Sequence, residues 1–553
     1  MSDVEKIIQP PLPGATNYVA TGSHGKTVKH EQDASARVFH WAVSIALLSM
    51  VLAVASSNMI VDLDLYHEMS LYRQMESEGA MPTKDAFAYT PTIDFVVHHE
   101  WATGAVMYLA TVKTGLGSLG VVLIKYFLTF AVCIGCFLYA RRHGASLAVF
   151  AILAPICLQV GGWMAFSNVR AQLFTLFFLV CMFALLAQDR QGKKWWIVAW
   201  VPLFIVWGNM HGGVVSGMGL FGLYCFTRLI EAWLETRAIS QTFGKVSHLI
   251  VVGFGTIGLL YVNPYGTEYA PYLIRAVSMK RPAILEWLPL YEIKFPTMYC
   301  VSVLIAGYAI VMRGKQSIFE SLAIILTAYL ALKHYRHGSL YAVTWACFVP
   351  PMIQAAQTGK VINRAWDRLS PFVFVAAIGV TFASLSHSIQ NEFWMLRVPN
   401  ERSVSGARVP TFPVGAVDYL LDQKFSGNLM VPFTTGAYVS WRMYPDVKVS
   451  IDSRYEVAYP HGAIEEDGHF NAALPGWEKV LNKYHTDAVL IDNDVPLAEA
   501  MAVAIQSIGG DPPVVQWAQV YRDKGFSVYV PNRTATKFPV VDRSNENTDG
   551  LFP

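Results

Sequence analysis

The sequence predicts a polytopic α-helical membrane protein of about eleven transmembrane helices with a carboxyl-terminal soluble α/β domain. Three observations lead there. The 553 residues are 54% hydrophobic and only 15% charged, with a mean hydropathy of +0.36, a composition typical of chains that live in a bilayer. Apolar runs long enough to cross a hydrocarbon core recur between residues 38 and 387. Beyond residue 388 the runs shorten and turn residues return, as in a water-exposed domain. The net charge of +2 gives no reason to expect nucleic acid as a partner.

Residues 1–37 are polar and lack the apolar stretch of a signal peptide, so they read as a cytosolic tail. Spans are expected at 38–61, 116–140, 145–162, 171–188, 195–211, 213–230, 248–263, 296–312, 318–335, 338–356 and 370–387. The weaker stretch 101–114 reads as a helix lying at the interface, because counting it as a crossing breaks the alternation of basic loops. Arg141, Arg142, Arg190, Arg228, Arg313 and Arg364, with their neighbouring lysines, fall on one side, which is assigned to the cytoplasm. The first loop, 62–101, and the carboxyl-terminal domain then face outward. The seven cysteines lie in or beside apolar runs, and Cys133-x-x-Cys136 sits mid-helix without neighbouring ligands, which points to packing.

The domain boundaries follow. Residues 38–388 form the transmembrane unit, 389–533 the α/β domain, and 534–553 a polar tail expected to be disordered. Within the α/β domain, 415–425, 436–444, 475–484 and 496–508 are expected as helices. Strands are expected at 428–432, 447–452 and 488–492, and a hairpin over 514–530. Alternation of this kind implies a mixed sheet.

Ionisable residues gather at the outward ends of the expected spans, where burial is costly and each calls for a reason. Asp62, Asp64 and His67 follow the first span, and His98, His99 and Glu100 close the first loop. Arg170 precedes the 171–188 span, His211 lies in the turn GNMHGG, and Lys333, His334, Arg336 and His337 crowd another turn. Acid, imidazole and cation at one membrane level suit a transferase acting on a lipid-linked phosphate. A carboxylate activates an acceptor hydroxyl, and cations hold the departing phosphate. Structural roles compete with these. Asp62 can cap a helix over 65–78, Lys333 and Arg336 can snorkel to the interface, His211 can satisfy backbone groups in its turn, and Asp452 and Arg454 can form a structural pair at a strand end where the functional alternative is contact with the acceptor or the membrane-facing loop. His67, His98, His99 and Glu100 are candidate metal ligands, but no spacing among them demands a metal.

The run Asp62-Leu63-Asp64-Leu65-Tyr66-His67, then Gly79-x-x-Pro82-x-x-Asp85-x-Phe87-x-Tyr89-Thr90, then His99-Glu100-Trp101 resembles multi-spanning GT-C glycosyltransferases of bacterial membranes. Arg170-x-Gln172-Leu173-Phe174-Thr175, Asn209-x-His211-Gly212-Gly213 and Asn263-Pro264-Tyr265-Gly266 look like further landmarks of that group, as do Phe412-Pro413-x-Gly415-Ala416 and Ile451-Asp452-x-Arg454. The resemblance covers most of residues 38–530. It implies a GT-C-like fold in a bacterial inner (cytoplasmic) membrane, with catalytic carboxylates on a large first outward loop. It also implies sugar transfer from a polyprenyl-phosphate donor to an extracytoplasmic glycan, lipid or protein. One departure is that Leu65-Tyr66 stand where similar chains often carry paired tryptophans.

On this reading Asp62, Asp64 and Glu100 are the catalytic candidates, with Asp62 favoured as base because it lies nearest the membrane. His67, His98, His99, Arg170, His211, Lys333, Arg336 and His337 are candidates for substrate binding, with Arg170, Lys333 and Arg336 on the phosphate. A divalent cation, Mg or Mn, is left open as cofactor. Two alternatives remain: a ligase or polymerase of lipid-pyrophosphate glycans, and a non-enzymatic transporter or scaffold. A transporter predicts internal repeats, and none is evident.

Overall fold

The computed structural model describes residues 24–59, 61–279, 284–293, 296–312, 318–398, 401–404, 407–505, 516–546 and 550–552. Its helical part holds α1 (His24–Ser56), α2 (Leu63–Glu78), α3 (Trp101–Tyr108), α4 (Ser118–Arg142), α5 (Leu147–Cys157), α6 (Gln172–Arg190), α7 (Trp196–Met210), α8 (Val214–Thr236), α9 (Ile239–Leu259), α10 (Tyr269–Ser278), α11 (Thr297–Val311), α12 (Ile318–Lys333), α13 (Gly338–Ala355) and α14 (Gln357–Gln390). Every range expected to span contains a helix. Among the described residues, six helices are long and apolar enough to cross a membrane: Ser35–Ser56, Ser118–Arg142, Gln172–Arg190, Val214–Thr236, Ile239–Leu259 and Gln357–Gln390. Large apolar side chains stand on the outer surfaces of several of them, such as Phe254, Phe372 and Phe382, each 74% exposed. In water such exposure would be a liability; in lipid it is the expected solvent.

Helix α13 runs through the centre, with Tyr341, Trp345, Cys347 and Val349 fully enclosed. Near its amino-terminal end it meets the π-helical turn Leu158–Gly162 that follows α5. A Cβ on Gly161 would fall 2.5 Å from that of Ala342 and 2.7 Å from the Gly338 carbonyl, so glycine there allows the backbones to touch. Some boundaries differ from the sequence reading. Helix α14 begins at Gln357 rather than 370, so Lys360, Arg364 and Arg368 ride on the helix itself. Helix α9 spans Ile239–Leu259 where 248–263 was expected. The stretch 101–114 forms α3 and a π-helical continuation, Leu109–Lys113. It is tucked beneath α2 so closely that a Cβ on Gly104 would meet the Glu68 carbonyl at 2.2 Å.

The carboxyl-terminal domain carries β1 (Arg397–Val398), β2 (Glu401–Val404), β3 (Ala407–Pro410), α15 (Val414–Asp422), β4 (Gly427–Met430), α16 (Gly436–Met443), β5 (Val447–Val449), α17 (His461–Asn471), α18 (Glu478–Lys483), β6 (Ala488–Asp492), α19 (Pro496–Ile505), β7 (Trp517–Asp523), β8 (Phe526–Pro531), β9 (Val541–Arg543) and β10 (Gly550–Leu551). Its main sheet has the order β5-β4-β6-β8-β7-β9 and is mixed: β4 runs parallel to β5 and β6, whereas β8 runs antiparallel to β6 and β7. Helix α17 was not foreseen, and its polar sequence HGAIEEDGHFN gives little periodic signal. The tail expected to be disordered instead contributes β9 to the sheet edge. Phe552 is buried with its ring 5.5 Å from that of Tyr66. These residues find apolar partners far away in sequence, which local polarity does not reveal. Residues 547–549 and 553 lie outside the described residues.

The first loop is docked on this domain. Ala88 forms a parallel bridge to Val449 on the edge strand β5. The Tyr89 N–H donates to the Val449 carbonyl at 3.0 Å, the Val449 N–H to Phe87 at 2.9 Å, and the Ile93 N–H to Ala458 at 2.9 Å. An edge that would otherwise offer unpaired backbone groups is covered in this way.

Candidate active site

Three segments meet at one end of the helices. The first is the start of α2. Asp62 is extended (φ −73°, ψ 145°) and its side chain accepts from the Asp64 N–H at 3.1 Å, so it caps the helix. The helix therefore does not run through both aspartates, and Asp64 sits in the first turn, where the helix dipole favours an anion. The second segment is the turn before α6: Arg170 Nε lies 2.7 Å from Asp62, its NH2 3.8 Å from Asp64, and its NH1 2.6 Å from Glu286. The third is the turn between α12 and α13, from which Arg336 reaches Glu286 at 3.4 Å and lies 4.6 Å over the Trp287 ring.

A second acidic group adjoins it. Glu100 stands before α3, and its Oε1 is 3.2 Å from His99 Nε2 and 3.3 Å from His211 Nε2. Both imidazoles are held from behind. The Tyr272 hydroxyl lies 2.9 Å from His99 Nδ1. His211 Nδ1 accepts the Gly213 N–H at 2.9 Å and contacts Thr175 Oγ1 at 2.7 Å, which itself accepts from Trp207 Nε1 at 2.9 Å. With Nδ1 accepting, Nε2 of His211 carries the proton toward Glu100. The turn bearing His211 is tied down by Asn209, which accepts from Trp101 Nε1 at 2.9 Å and donates to the Val262 carbonyl at 2.8 Å.

Burial and like charge set the protonation states. Burial brings Asp62 up to about 6 against the pull of Arg170, and Asp64 reaches about 6 for the same two reasons, with Glu100 and Glu286 adding to the rise. Burial and the Glu100 charge push Glu68 well above the usual carboxylate range. Glu100 goes the other way. Burial disfavours its anion, yet His99, His211 and a hydrogen bond from Glu68 hold it well below the usual value. Burial thus favours the neutral form of Glu68, while its partners favour the anion of Glu100. The neighbouring Asp62 charge raises Arg170, whose cation persists at every physiological pH.

The remaining histidines divide. Burial brings His67 down to about 4 despite Asp452, and takes His98 well below its ordinary value with help from Arg454. Both are neutral, and the Nδ1 of each is buried without a hydrogen-bond partner. His337 is also lowered to about 4 by burial and lies against Trp287, with ring centroids 6.2 Å apart.

Most of the sequence candidates converge on two adjoining groups whose charges act on one another, Asp62, Asp64, Arg170 and Arg336 in one and Glu100, His99 and His211 in the other, with His67, His98 and His337 at their margins. Lys333 does not join them. It is the last residue of α12 and is exposed, because the chain reverses through Tyr335–His337 before Arg336 turns inward. Its strongly hydrated ammonium stays at the surface. Arg170 is already engaged by three carboxylates, so it is a partner of the acids as much as a phosphate ligand. Glu286 and Glu68 were missed. Glu68 follows Asp64 by four residues, the spacing that puts both on one helix face, and that signal was available. Glu286 precedes Trp287 in an outward segment with other acids and carries no comparable mark.

Asp452 and Arg454 pair with each other at the strand end, and Arg454 also makes the contact with the first loop. Arg454 is enclosed, donates to Asp452 through Nε at 2.8 Å and NH2 at 2.7 Å, and pairs through NH1 with Asp85 of the first loop. Among the described residues, no group of three or more His, Cys, Asp or Glu is arranged to hold a metal ion. No family model matches the chain, and no curated protein matches it.

Proposed function

We propose that this chain is a membrane glycosyltransferase that moves a sugar from a polyprenyl-phosphate donor to an extracytoplasmic acceptor. On this reading about eleven helices cross a bacterial cytoplasmic membrane, with the first loop and the α/β domain outside. The observation that carries the reading is an apolar cavity of about 380 Å³ between α1, α4, α5 and α13, whose lining reaches Ser339, three residues past Arg336. Its wall includes Leu48, Phe137, Phe150, Leu158, Phe166 and Ser339. The Ser339 hydroxyl donates to the Arg336 carbonyl at 3.2 Å, so the slot ends at the turn that bears a cation of the site. An isoprenoid tail asks for such a slot, and its phosphate for such a cation.

The chemistry follows from the geometry. Asp62 is occupied as helix cap and as the close partner of Arg170, whereas Asp64 makes no cap and lies farther from the guanidinium. Asp64 is therefore the better base, a revision of the sequence-based preference for Asp62. It takes the proton of the acceptor hydroxyl as that oxygen attacks the anomeric carbon. The bond from that carbon to the phosphate oxygen breaks, the configuration inverts, and the phosphate leaves beside Arg336 and Arg170. Glu100, fixed by two imidazoles, orients the acceptor. Two arginines facing several carboxylates suit one phosphate better than a pyrophosphate, which favours this reading over a lipid-pyrophosphate ligase.

The test is a photoreactive polyprenyl phosphate added to the full-length protein in lipid nanodiscs. Labelling is expected on α5 and α13, competed by a polyprenyl-phosphate sugar. Labelling spread evenly over lipid-facing helices, with no sugar transfer, would overturn the proposal.

A further inference from the structure

A lysine that no charge pairing accounts for lies inside the helix bundle. Lys125 sits seven residues into α4 and has no exposed surface. Its Nζ donates to the Ser167 carbonyl at 2.6 Å and the Asn58 carbonyl at 3.0 Å, and contacts Met59 Sδ at 3.7 Å. Each of its three donors is thereby used. Asn58 follows the end of α1, and Ser167 follows the helical turn Trp163–Phe166. One ammonium therefore caps the negative ends of two helical segments.

From this point the two segments run side by side toward the site. Asn58 donates to Asn168 at 2.5 Å, Val61 bridges Val169 in parallel, and Asp62 pairs with Arg170 at 2.7 Å. The rungs keep nearly constant register, so whatever fixes the foot of the ladder fixes its top. The adjacent Tyr126 extends the grip: its hydroxyl donates to the Phe393 carbonyl at 2.7 Å, in the connection to the α/β domain. A cation buried in a membrane protein is expensive and calls for a role of this kind.

We infer that Lys125 is a positioning residue whose ammonium ties the exit of α1 to the 167–170 turn and so holds Asp62 against Arg170. The inference rests on the reading of that pair as part of a glycosyltransferase site. Loosening the pair weakens the cation's hold on Asp62 and its neighbour Asp64, and the base then ionises at higher pH.

The test compares wild type with Lys125→Met, which keeps length and loses all three donors. Both are taken as full-length protein in nanodiscs. Two measurements are made: amide hydrogen exchange, and the pH profile of sugar transfer from a polyprenyl-phosphate donor. Exchange is expected to rise about tenfold or more in 57–62 and 167–170 while α6 to α9 stay protected. Turnover is expected to fall about tenfold to a hundredfold with donor KM within threefold, and the acidic limb of the profile to move up by about one pH unit. Unchanged exchange in the two segments overturns the inference, and so does an unmoved acidic limb. General loss of protection across α6 to α9 also overturns it, since Lys125 would then support the whole fold. A wild-type protein without transfer activity would instead sink the proposed function, and the exchange pattern would still decide the role of Lys125.

Discussion

At the scale of single residues, the two aspartates after the first helix have separate duties although the sequence presents them as a pair. Asp62 caps α2 and grips Arg170, while Asp64 lies in the first turn and farther from the guanidinium. Replacing Asp64 by Asn keeps size and most hydrogen bonds but removes basicity, so turnover should fall by about 10²–10⁴-fold with donor affinity little changed. Asp62→Asn should cost less in turnover. A steady-state comparison of the two variants checks the assignment, and near-normal turnover in Asp64→Asn would return the role to Asp62. The pH dependence has a definite sign. Both carboxyls are raised from 3.8 to about 6, so below pH 6 the base is protonated and kcat should fall, with its midpoint near 6. Stability moves oppositely. The native state binds these protons more tightly than the unfolded chain, so their contribution is fully present below pH 3.8 and is lost as pH rises through 6. Thermal unfolding of Asp62→Asn and Asp64→Asn should therefore depend less on pH across that window than that of wild type. These two acids, with Glu100, Arg170 and His211, were legible in the sequence because charge at the end of an apolar span is rare. Lys125 was not, because an isolated lysine within an apolar run gives no hint that carbonyls from two other segments await it.

At the scale of elements, the first loop is held less by its own helix than by the sheet on which it lies. Residues 87–89 pair with β5, and Asp85 meets Arg454 in an enclosed cluster with Asp452. Removing the cation leaves two buried carboxylates without their partner. Arg454→Met should destabilise the fold by about 3–5 kcal/mol, read from the unfolding of detergent-purified protein. Because the same staple sets the loop, 79–100 should also become susceptible to limited proteolysis in that variant. Stability within about 1 kcal/mol of wild type would mean that the backbone pairing alone holds the loop. The strands and most helices of the α/β domain were readable from alternation and turn residues. The docking was not, since Phe87 and Tyr89 look like ordinary strand residues until an edge with matching register is present.

At the scale of the molecule, the helical ranges were the most legible feature, because a lipid-facing surface constrains every residue type on it. Partnerships among helix ends were the least legible, as Lys333 and Glu286 illustrate from opposite directions: one was expected in the network and stands outside it, the other was overlooked and joins both arginines. Orientation follows from the basic loops, and it predicts that an alkaline phosphatase fused at residue 390 will be active outside the cytoplasm. Activity of a cytoplasmic reporter at that position would separate the first loop from the domain it touches and is incompatible with the contacts described.

The staple between Asp85 and Arg454 has a consequence for how the protein is made. The two residues are 369 positions apart, so at about 5–20 residues per second of synthesis the loop waits roughly 20–75 s for its partner. During that interval the loop is already made while the sheet edge that orders it is still unsynthesised. A ribosome stalled before residue 447 would leave a helix bundle whose first loop lacks the edge strand it lies on, a natural target for proteolytic clearance.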